Sequence, residues 1–353
     1  MKVLIACPYP QGVAPSQRFR FEQFLDDPDI DFTIRSFWPD WAWNSLYRRW
    51  RLPIRVLAIL VGMWRRMGLA FRVGRFDKVL VHREAIPLGP PWFEWVVVRL
   101  WKKPMIYDID DAIWLKDPFR FAPLTDALKW RRKIPQLCAW SSLVISGNAW
   151  IGVYAGQFAD RVVTIPTVVD TEGLHNLEKI HGPGPVTIGW TGSHSTLPYL
   201  KLLAPVFRRI TREFQVRILV IADRDPKLDV PGYEFRPWQK QTEISDLMHI
   251  DIGLMPLNEM KWSRGKCGFK IIQYLALGIP AVVSPQGLNS FIVADGERGR
   301  ICRTRKEWLD ALRQLITDHK LRQRMGTRGR EFIRQHYTTD LWRERFWEVL
   351  ADA

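Results

Sequence analysis

Cysteine is scarce in this chain: four residues, Cys7, Cys138, Cys267 and Cys302, are spread through 353 positions. No two form a Cys-x-x-Cys pair or a Cys/His ligand spacing, which argues against structural zinc and fits a reducing compartment. No stretch reaches the roughly 20 apolar residues of a membrane span. The apolar run in the opening MKVLIACPYPQ is too short for a secretory signal and is expected to form a first strand. No GxGxxG follows it, which disfavours a dinucleotide oxidoreductase. The chain is basic, yet no helix-turn-helix or aromatic RNA-binding strand signature accompanies the charge, so nucleic acid is disfavoured as a partner. Low-complexity segments and internal repeats are also lacking.

Acid is missing altogether between Asp40 and Asp77, in a chain of net charge +15 with 18 tryptophans. Arg48, Arg49, Arg51, Arg55, Arg65, Arg66, Arg72 and Arg75 surround the apolar run VLAILVGMW at 56–64, with Trp50, Met63, Trp64 and Met67 among them. Such a segment suits a helix lying at the interface of an anionic membrane. A helix packed on the N-terminal sheet with a solvated basic edge is the alternative. The expected location is cytoplasmic, peripheral on the inner face of a membrane. Overall usage, 47% hydrophobic and 25% charged, is that of an ordinary globular enzyme large enough for two domains with proper cores.

Short β-rich runs recur at 2–6, 31–36, 77–81, 104–108, 142–146 and 161–165, with helical or irregular material between them. A second series follows the break HGPGP, at 186–190, 216–222, 251–255 and 281–284. This alternation predicts an α/β protein of two Rossmann-like domains with parallel sheets, residues 1–170 and 171–339. Trp342, Phe346, Val349 and Leu350 recur at helical spacing, so residues 340–353 form a last helix, expected to pack back on the first domain.

The most informative segment is RGKCGFKIIQYLALGIPAVVS, residues 264–284. Lys266 and Lys270 are four apart and Gln273 is three further on, a spacing that turns all three roughly the same way on a helix. Gly265 and Gly268 permit close backbone approach, and the amides and dipole of a helix starting near Gly268 add to the two ammonium groups. A diphosphate fits such a site. Gly278 in a left-handed stop and Pro280 end the helix, and AVVS reads as a buried strand.

The same residues resemble the donor-sugar signature of the family 4 (group 1) glycosyltransferases, in which a Lys precedes a Glu-Ala/Tyr-Met/Leu-Ala-x-Gly-x-Pro run by three residues. Here Lys270, Gln273, Tyr274, Leu275, Ala276, Gly278 and Pro280 carry the match. This chain departs from the pattern with Gln273 and Gly265 where most members have Glu, though a Gln still exchanges two hydrogen bonds with a ribose diol. DIGLMPL at 251–257, residues 284–302, LRQRMG at 321–326 and, toward the other end, VHREAIPLGPP, IYDIDDAIW and IPTVVDT extend the resemblance over most of the chain. It implies the GT-B fold, two Rossmann-like domains with a facing cleft, and retention of anomeric configuration. No cofactor is implied, because the nucleoside diphosphate sugar is the donor substrate.

Ligands of open α/β sheets bind beyond the carboxyl ends of the strands. The donor contacts expected on this chain are Gly192, Ser193, Thr196, Trp238, Arg264, Lys266, Lys270 and Gln273, with His194 as a further donor to phosphate. Helix capping is the alternative role for Ser193 and Thr196, and a core position the alternative for Trp238. On the acceptor side the resemblance matches Asp110 and Glu84 to catalytic-site positions, with Lys270 as the third catalytic residue, and Arg18 and Arg20 are placed to meet an acceptor phosphate. Asp108 and Asp110 also satisfy the Asp-x-Asp pattern of metal-dependent enzymes, but the donor signature belongs to the metal-free fold and no metal is expected. An ion pair from Arg83 to Asp110 or Asp111 is the structural alternative. The expected activity is transfer of a hexosyl group to a hydroxyl of a lipid-linked or cell-surface glycan intermediate, in polysaccharide biosynthesis. A nucleotide-sugar epimerase of the same fold, which needs no acceptor, and a non-catalytic membrane-binding protein are the rivals.

Overall fold

A computed structural model describes residues 1–43, 52–116 and 123–353. Arg48, Arg49, Trp50 and Arg51 lie outside the described residues. The chain divides into two units, Met1–Thr167 together with Trp342–Ala353, and Val168–Leu341.

The first unit is built on β1 (Lys2–Cys7), β2 (Asp31–Ser36), β3 (Lys78–His82), β4 (Met105–Ile109), β5 (Leu143–Ser146) and β6 (Val162–Thr164), in the order β2-β1-β3-β4-β5-β6. Every pairing is parallel. β1 and β3 are runs of Val, Leu and Ile, and they and β4 (MIYDI) are buried almost throughout, as a parallel sheet covered by helices requires. The second unit repeats the plan with β7 (Val186–Gly192), β8 (Val216–Ala222), β9 (Tyr233–Pro237), β10 (Ile252–Met255), β11 (Ala281–Val283) and β12 (Gly299–Ile301), in the order β12-β11-β10-β7-β8-β9. β12 has three residues and no apolar alternation, and the sequence offered no strand signal there.

The helices that matter for function are α1 (Leu52–Ala70), α2 (Glu243–Leu247), α3 (Phe269–Ala276), α4 (His319–His336) and α5 (Thr339–Asp352). α3 starts after Gly268, whose φ of +72° turns the chain into it, and ends at Gly278, φ +73°. Gly278 N–H bonds Leu275 O and Ile279 N–H bonds Tyr274 O, a left-handed stop that satisfies two carbonyls otherwise orphaned. Arg330 of α4 donates to Leu177 O at 2.6 Å and also to Ala276 O, which fastens the end of α3. In the first unit, α5 buries Phe346, Val349 and Leu350. Phe346 stacks on Phe24 at 4.9 Å, and Trp347 donates its indole N–H to Phe24 O.

α1 packs in a way its sequence does not announce. Its buried face is Ala58, Gly62, Arg66 and Leu69, while Val56, Leu57, Leu60, Trp64 and Met67 are exposed. A Cβ on Gly62 would lie 2.8 Å from the Phe37 ring, so the small residues let the helix sit close to the sheet. Arg66, expected above to face a membrane, is 1% exposed. Its guanidinium donates to Ala85 O, Arg35 O and Cys7 O at 2.8, 2.9 and 2.7 Å. These carbonyls belong to the end regions of β1 and β2 and to the loop after β3; Cys7 O also takes the Phe37 N–H, and the five-donor fork serves all three.

Candidate active site

The donor-side residues gather at the carboxyl ends of β7 and β8 and the start of α3. Trp190 and Thr191 near the end of β7 are buried, and Thr191 N–H bonds the Tyr274 hydroxyl on α3 at 2.9 Å, which sets the helix against the strand. Lys270 on the first turn of α3 lies 4.4 Å above the Trp190 ring, with Nζ 3.4 Å from Thr196 Oγ1. Burial, and after it the neighbouring charge of Lys266, lower the Lys270 ammonium to about 7. Among the described residues no carboxylate pairs with it. An aromatic face and one hydroxyl hold a cation whose counter-charge the protein does not supply.

Lys266 is in the loop before α3, not on the helix, and its ammonium lies 5.3 Å from the centre of the Trp262 ring. The left-handed turn at Gly268, rather than helical spacing, brings the two lysines into electrostatic contact. Arg264 is exposed at the end of the short helix Lys261–Arg264.

In the loop after β7, Thr196 Oγ1 accepts from Ser193 N–H at 3.2 Å and donates to Ser193 O at 3.0 Å. Thr196 precedes the helix Leu197–Lys201 without capping it, so its hydroxyl serves the loop and Lys270. Ser193 Oγ bonds Ser195 Oγ. A Cβ at Gly192 would lie 2.4 Å from Trp190 and 2.8 Å from Thr196 Oγ1, so glycine there is what lets these two side chains reach Lys270. His194 donates its backbone N–H to Asp223 and pairs with it through Nδ1; burial would raise the Asp223 carboxyl, but this pairing holds it below its ordinary value. Trp238, half-buried directly after β9, donates its N–H to Ala222 O at the end of β8.

Gln273 is 3% exposed and turned into a polar cluster that the sequence did not signal. Its amide donates to Glu243 Oε1 on α2 at 3.3 Å and lies 3.5 Å from His175 Nε2; both partners are buried. A glutamate at this position would set two carboxylates against each other in a dry site, which explains why the chain carries an amide here. Gln273→Glu is therefore expected to destabilise the second unit by about 1–3 kcal/mol at pH 7. Its folded pKa would be raised above the unfolded value, so the deficit relative to wild type should shrink as pH falls toward 5. Thermal unfolding of both proteins at the two pH values checks this.

In the first unit Asp108, Asp110 and Glu84 each have a cation of their own. His82 and Asp108 are register partners on β3 and β4. Asp108 accepts from Arg20 and lies 2.6 Å from His82 Nδ1; burial alone would raise it, but these two partners hold it well below the carboxylate range. Arg20, expected to greet an acceptor phosphate, is 2% exposed and spends its guanidinium on Asp108 and Ile165 O. Asp110, one residue past β4, takes both arms of Arg83, with Oδ2 2.9 Å from one terminal nitrogen. Burial opposes its ionisation, and the Arg83 guanidinium outweighs burial and keeps it lowered. Arg83 has φ +56°, a conformation a long side chain adopts only when its surroundings hold it there. Glu84 Oε1 is 2.9 Å from the buried Lys133 ammonium. Asp108 and Asp110 are thus drawn to different cations, and among the described residues no group of three His, Cys, Asp or Glu converges as a metal site.

Two parallel α/β units, with an uncompensated lysine beside β7 of the second, define the GT-B class. Residues 199–332 match the family model described as Glycosyl transferases group 1. The chain is a glycosyltransferase, and the group 1 match lies wholly within its second unit. Its fold is similar to that of Anabaena Alr3699/HepE in complex with UDP and glucose, with TM-score 0.68 and 14% identity over 100% of both chains. It is similar too to the sucrose-phosphate synthase (tll1590) of Thermosynechococcus elongatus, with TM-score 0.69 and 12% identity over 99% of this chain and 98% of that one. A glycosyltransferase from Rickettsia africae matches with TM-score 0.64 and 10% identity over 99% and 97%. No curated protein matches the chain by sequence.

Proposed function

We propose that the enzyme transfers a hexosyl group, with retention and without a metal ion, from a nucleoside diphosphate sugar to a hydroxyl of a lipid-linked or cell-surface glycan intermediate. Lys270 carries the reading: a partly buried cation with no carboxylate beside it, at the carboxyl end of a parallel strand, is built for an anion that arrives from outside. In the reaction the bond from the anomeric carbon to the diphosphate breaks as one to the acceptor oxygen forms, and the hydroxyl proton passes to the leaving diphosphate. Charge grows on the leaving diphosphate, where Lys270, Lys266, Arg264 and the amides at the start of α3 stabilise it. Thr196, Ser193 and Gly192 shape the phosphate side, and Gln273 and Trp238 the nucleoside side. Asp110, kept ionised by Arg83, and Glu84 are the carboxylates assigned to stabilise the oxocarbenium-like sugar or to orient the incoming hydroxyl. The acceptor reading places the enzyme at the cytoplasmic face of a membrane.

Thermal-shift measurements against UDP-, GDP-, ADP- and dTDP-sugars test the donor, since a ligand that binds the native state alone raises Tm. UDP-sugars are the first choice because the similar Anabaena structure holds UDP. No shift with any of them overturns the reading. Turnover that needs no acceptor would mean an epimerase, and donor binding without turnover against any acceptor a non-catalytic protein. Two further outcomes bear on the chemistry. Asp110→Asn should lower the rate with little change in donor affinity, and EDTA should leave turnover intact. Loss of activity in EDTA that manganese or magnesium restores would contradict the metal-free mechanism.

A further inference from the structure

Six large apolar side chains of α1 and the residue after it face solvent: Val56, Leu57, Leu60, Trp64, Met67 and Phe71, between 50% and 82% exposed. Their spacing of three and four residues makes one continuous stripe along the helix. It lies opposite the buried face of Ala58, Gly62, Arg66 and Leu69, so α1 has turned its small residues and one arginine inward and its large apolar ones outward. This is the reverse of what a helix covering a sheet does when water is its only other neighbour. The helical segment Val96–Leu100 adjoins α1, tied to it by Trp101, which donates its indole N–H to Ala70 O at 2.7 Å. There Trp95, Leu100 and Trp101 are exposed as well.

The polar residues round this surface are of one sign. Arg72, Arg75, Arg99 and Lys102 are exposed. No acid occurs between Trp41 and Phe76, and the one acid from Pro91 to Pro104, Glu94, is 1% exposed with its carboxylate accepting from Ala85 N–H. A second copy of the same face would bring these cations together, whereas an anionic surface neutralises them. Among the described residues no helix is long and apolar enough to cross a bilayer.

We propose that α1, with the exposed tryptophans beside it, is the edge by which the first unit enters the interface of an anionic lipid bilayer. The stripe from Val56 to Phe71 sinks to the acyl boundary, and Arg72, Arg75, Arg99 and Lys102 meet the headgroup phosphates. The attachment is mainly apolar, with the arginines setting preference for anionic lipid, and Arg66 takes no part because it is buried. The inference rests on the reading of a lipid-linked acceptor, since it brings the enzyme to the surface where such an acceptor resides.

The full chain is tested by flotation with vesicles of phosphatidylcholine alone and of phosphatidylcholine with phosphatidylglycerol. Wild type should float with the mixed vesicles and much less with the neutral ones. Leu60→Ser, Trp64→Ser and Phe71→Ser combined should lose vesicle affinity by about tenfold or more, at low salt as well as at physiological salt. Arg72→Glu with Arg75→Glu should reduce the affinity mainly at low salt, where charge attraction is least screened. All these side chains are exposed, and circular dichroism with nucleoside diphosphate binding shows whether the variants remain native. Both variants should bind the nucleotide as wild type does, so a failed donor assignment is distinguished from a failed membrane edge. Unchanged flotation of the triple variant overturns the proposal. So does sedimentation showing that wild type pairs through this face while ignoring vesicles.

Discussion

Replacing Lys270 by Ala is expected to remove about 2–4 kcal/mol of transition-state stabilisation, roughly a hundredfold or more in kcat/KM, in a protein that keeps its fold. The ammonium group is held between the Trp190 ring and Thr196 Oγ1 with no internal anion, so its charge is available to the diphosphate and to little else. The same isolation makes Lys270 a burden on the empty fold. Unfolded, the lysine is protonated up to its ordinary value of 10.5; folded, it releases its proton near 7. Between these values the unfolded chain binds more protons, so the contribution of Lys270 to stability rises with pH from about 7 to 10.5 and is least favourable below 7. Lys270→Met, which keeps the volume and removes the charge, should therefore melt higher than wild type at pH 6 and converge with it toward pH 10. Activity of Lys270→Ala within threefold of wild type would remove this residue from the site.

Arg66→Met should produce the largest loss of stability, about 2–6 kcal/mol, since two carbonyls lose their N–H donor at about 1–3 kcal/mol each. The side chain satisfies three backbone carbonyls, and its guanidinium lies 5.6 Å from the centre of the Phe93 ring. Burial, the largest influence, lowers it to about 10, which leaves it charged at neutral pH. A methionine of similar length fills the space but leaves the Ala85 and Arg35 carbonyls without their N–H donor, while Cys7 O keeps only the Phe37 N–H. The melting transition of the first unit should fall by roughly 10 °C or more. A shift of only a degree or two would show that water replaces the guanidinium, and that Arg66 does not knit the strand ends together.

These outcomes show where the sequence was legible. Short runs rich in β-branched and aliphatic residues made ten of the twelve strands readable; the signal is plainest in β1, β3, β5 and β11, which are buried almost throughout, and weakest in β2 (DFTIRS), which carries polar residues. Neither β9 (YEFRP), part-exposed along its length, nor the three-residue β12 stands among those runs. The stop at Gly278 was legible because glycine followed by Pro280 permits little else. Lys266 and Lys270 were recognisable as a pair, yet their proximity depends on a left-handed turn at Gly268 that helical spacing does not describe. Gln273 looked like a ligand donor, and the structure adds Glu243 and His175, distant in sequence, which only tertiary contact brings to it. The basic segment misled in a physical way. Composition counts an arginine as surface, but Arg66 is drawn inward by carbonyls at the ends of other strands, while the apolar side chains that composition assigns to a core face outward. Glu84 and Asp110 were identifiable as strand-end carboxylates, whereas Lys133, the partner of Glu84, comes from 49 residues further on and carried no signal.

The central claim is that Lys270 waits for the diphosphate of a sugar donor, and titration calorimetry tests it most directly. UDP, GDP, ADP and dTDP would each be titrated into the protein at pH 8 in two buffers of different ionisation enthalpy. At that pH the Lys270 amine is mostly neutral in the free enzyme, and an arriving diphosphate should pull its proton affinity up. The account predicts that at least one nucleoside diphosphate binds with uptake of up to about one proton, and that Lys270→Met loses both the uptake and most of the affinity. Absence of binding by all four, or binding without proton uptake that Lys270→Met leaves unchanged, would contradict it.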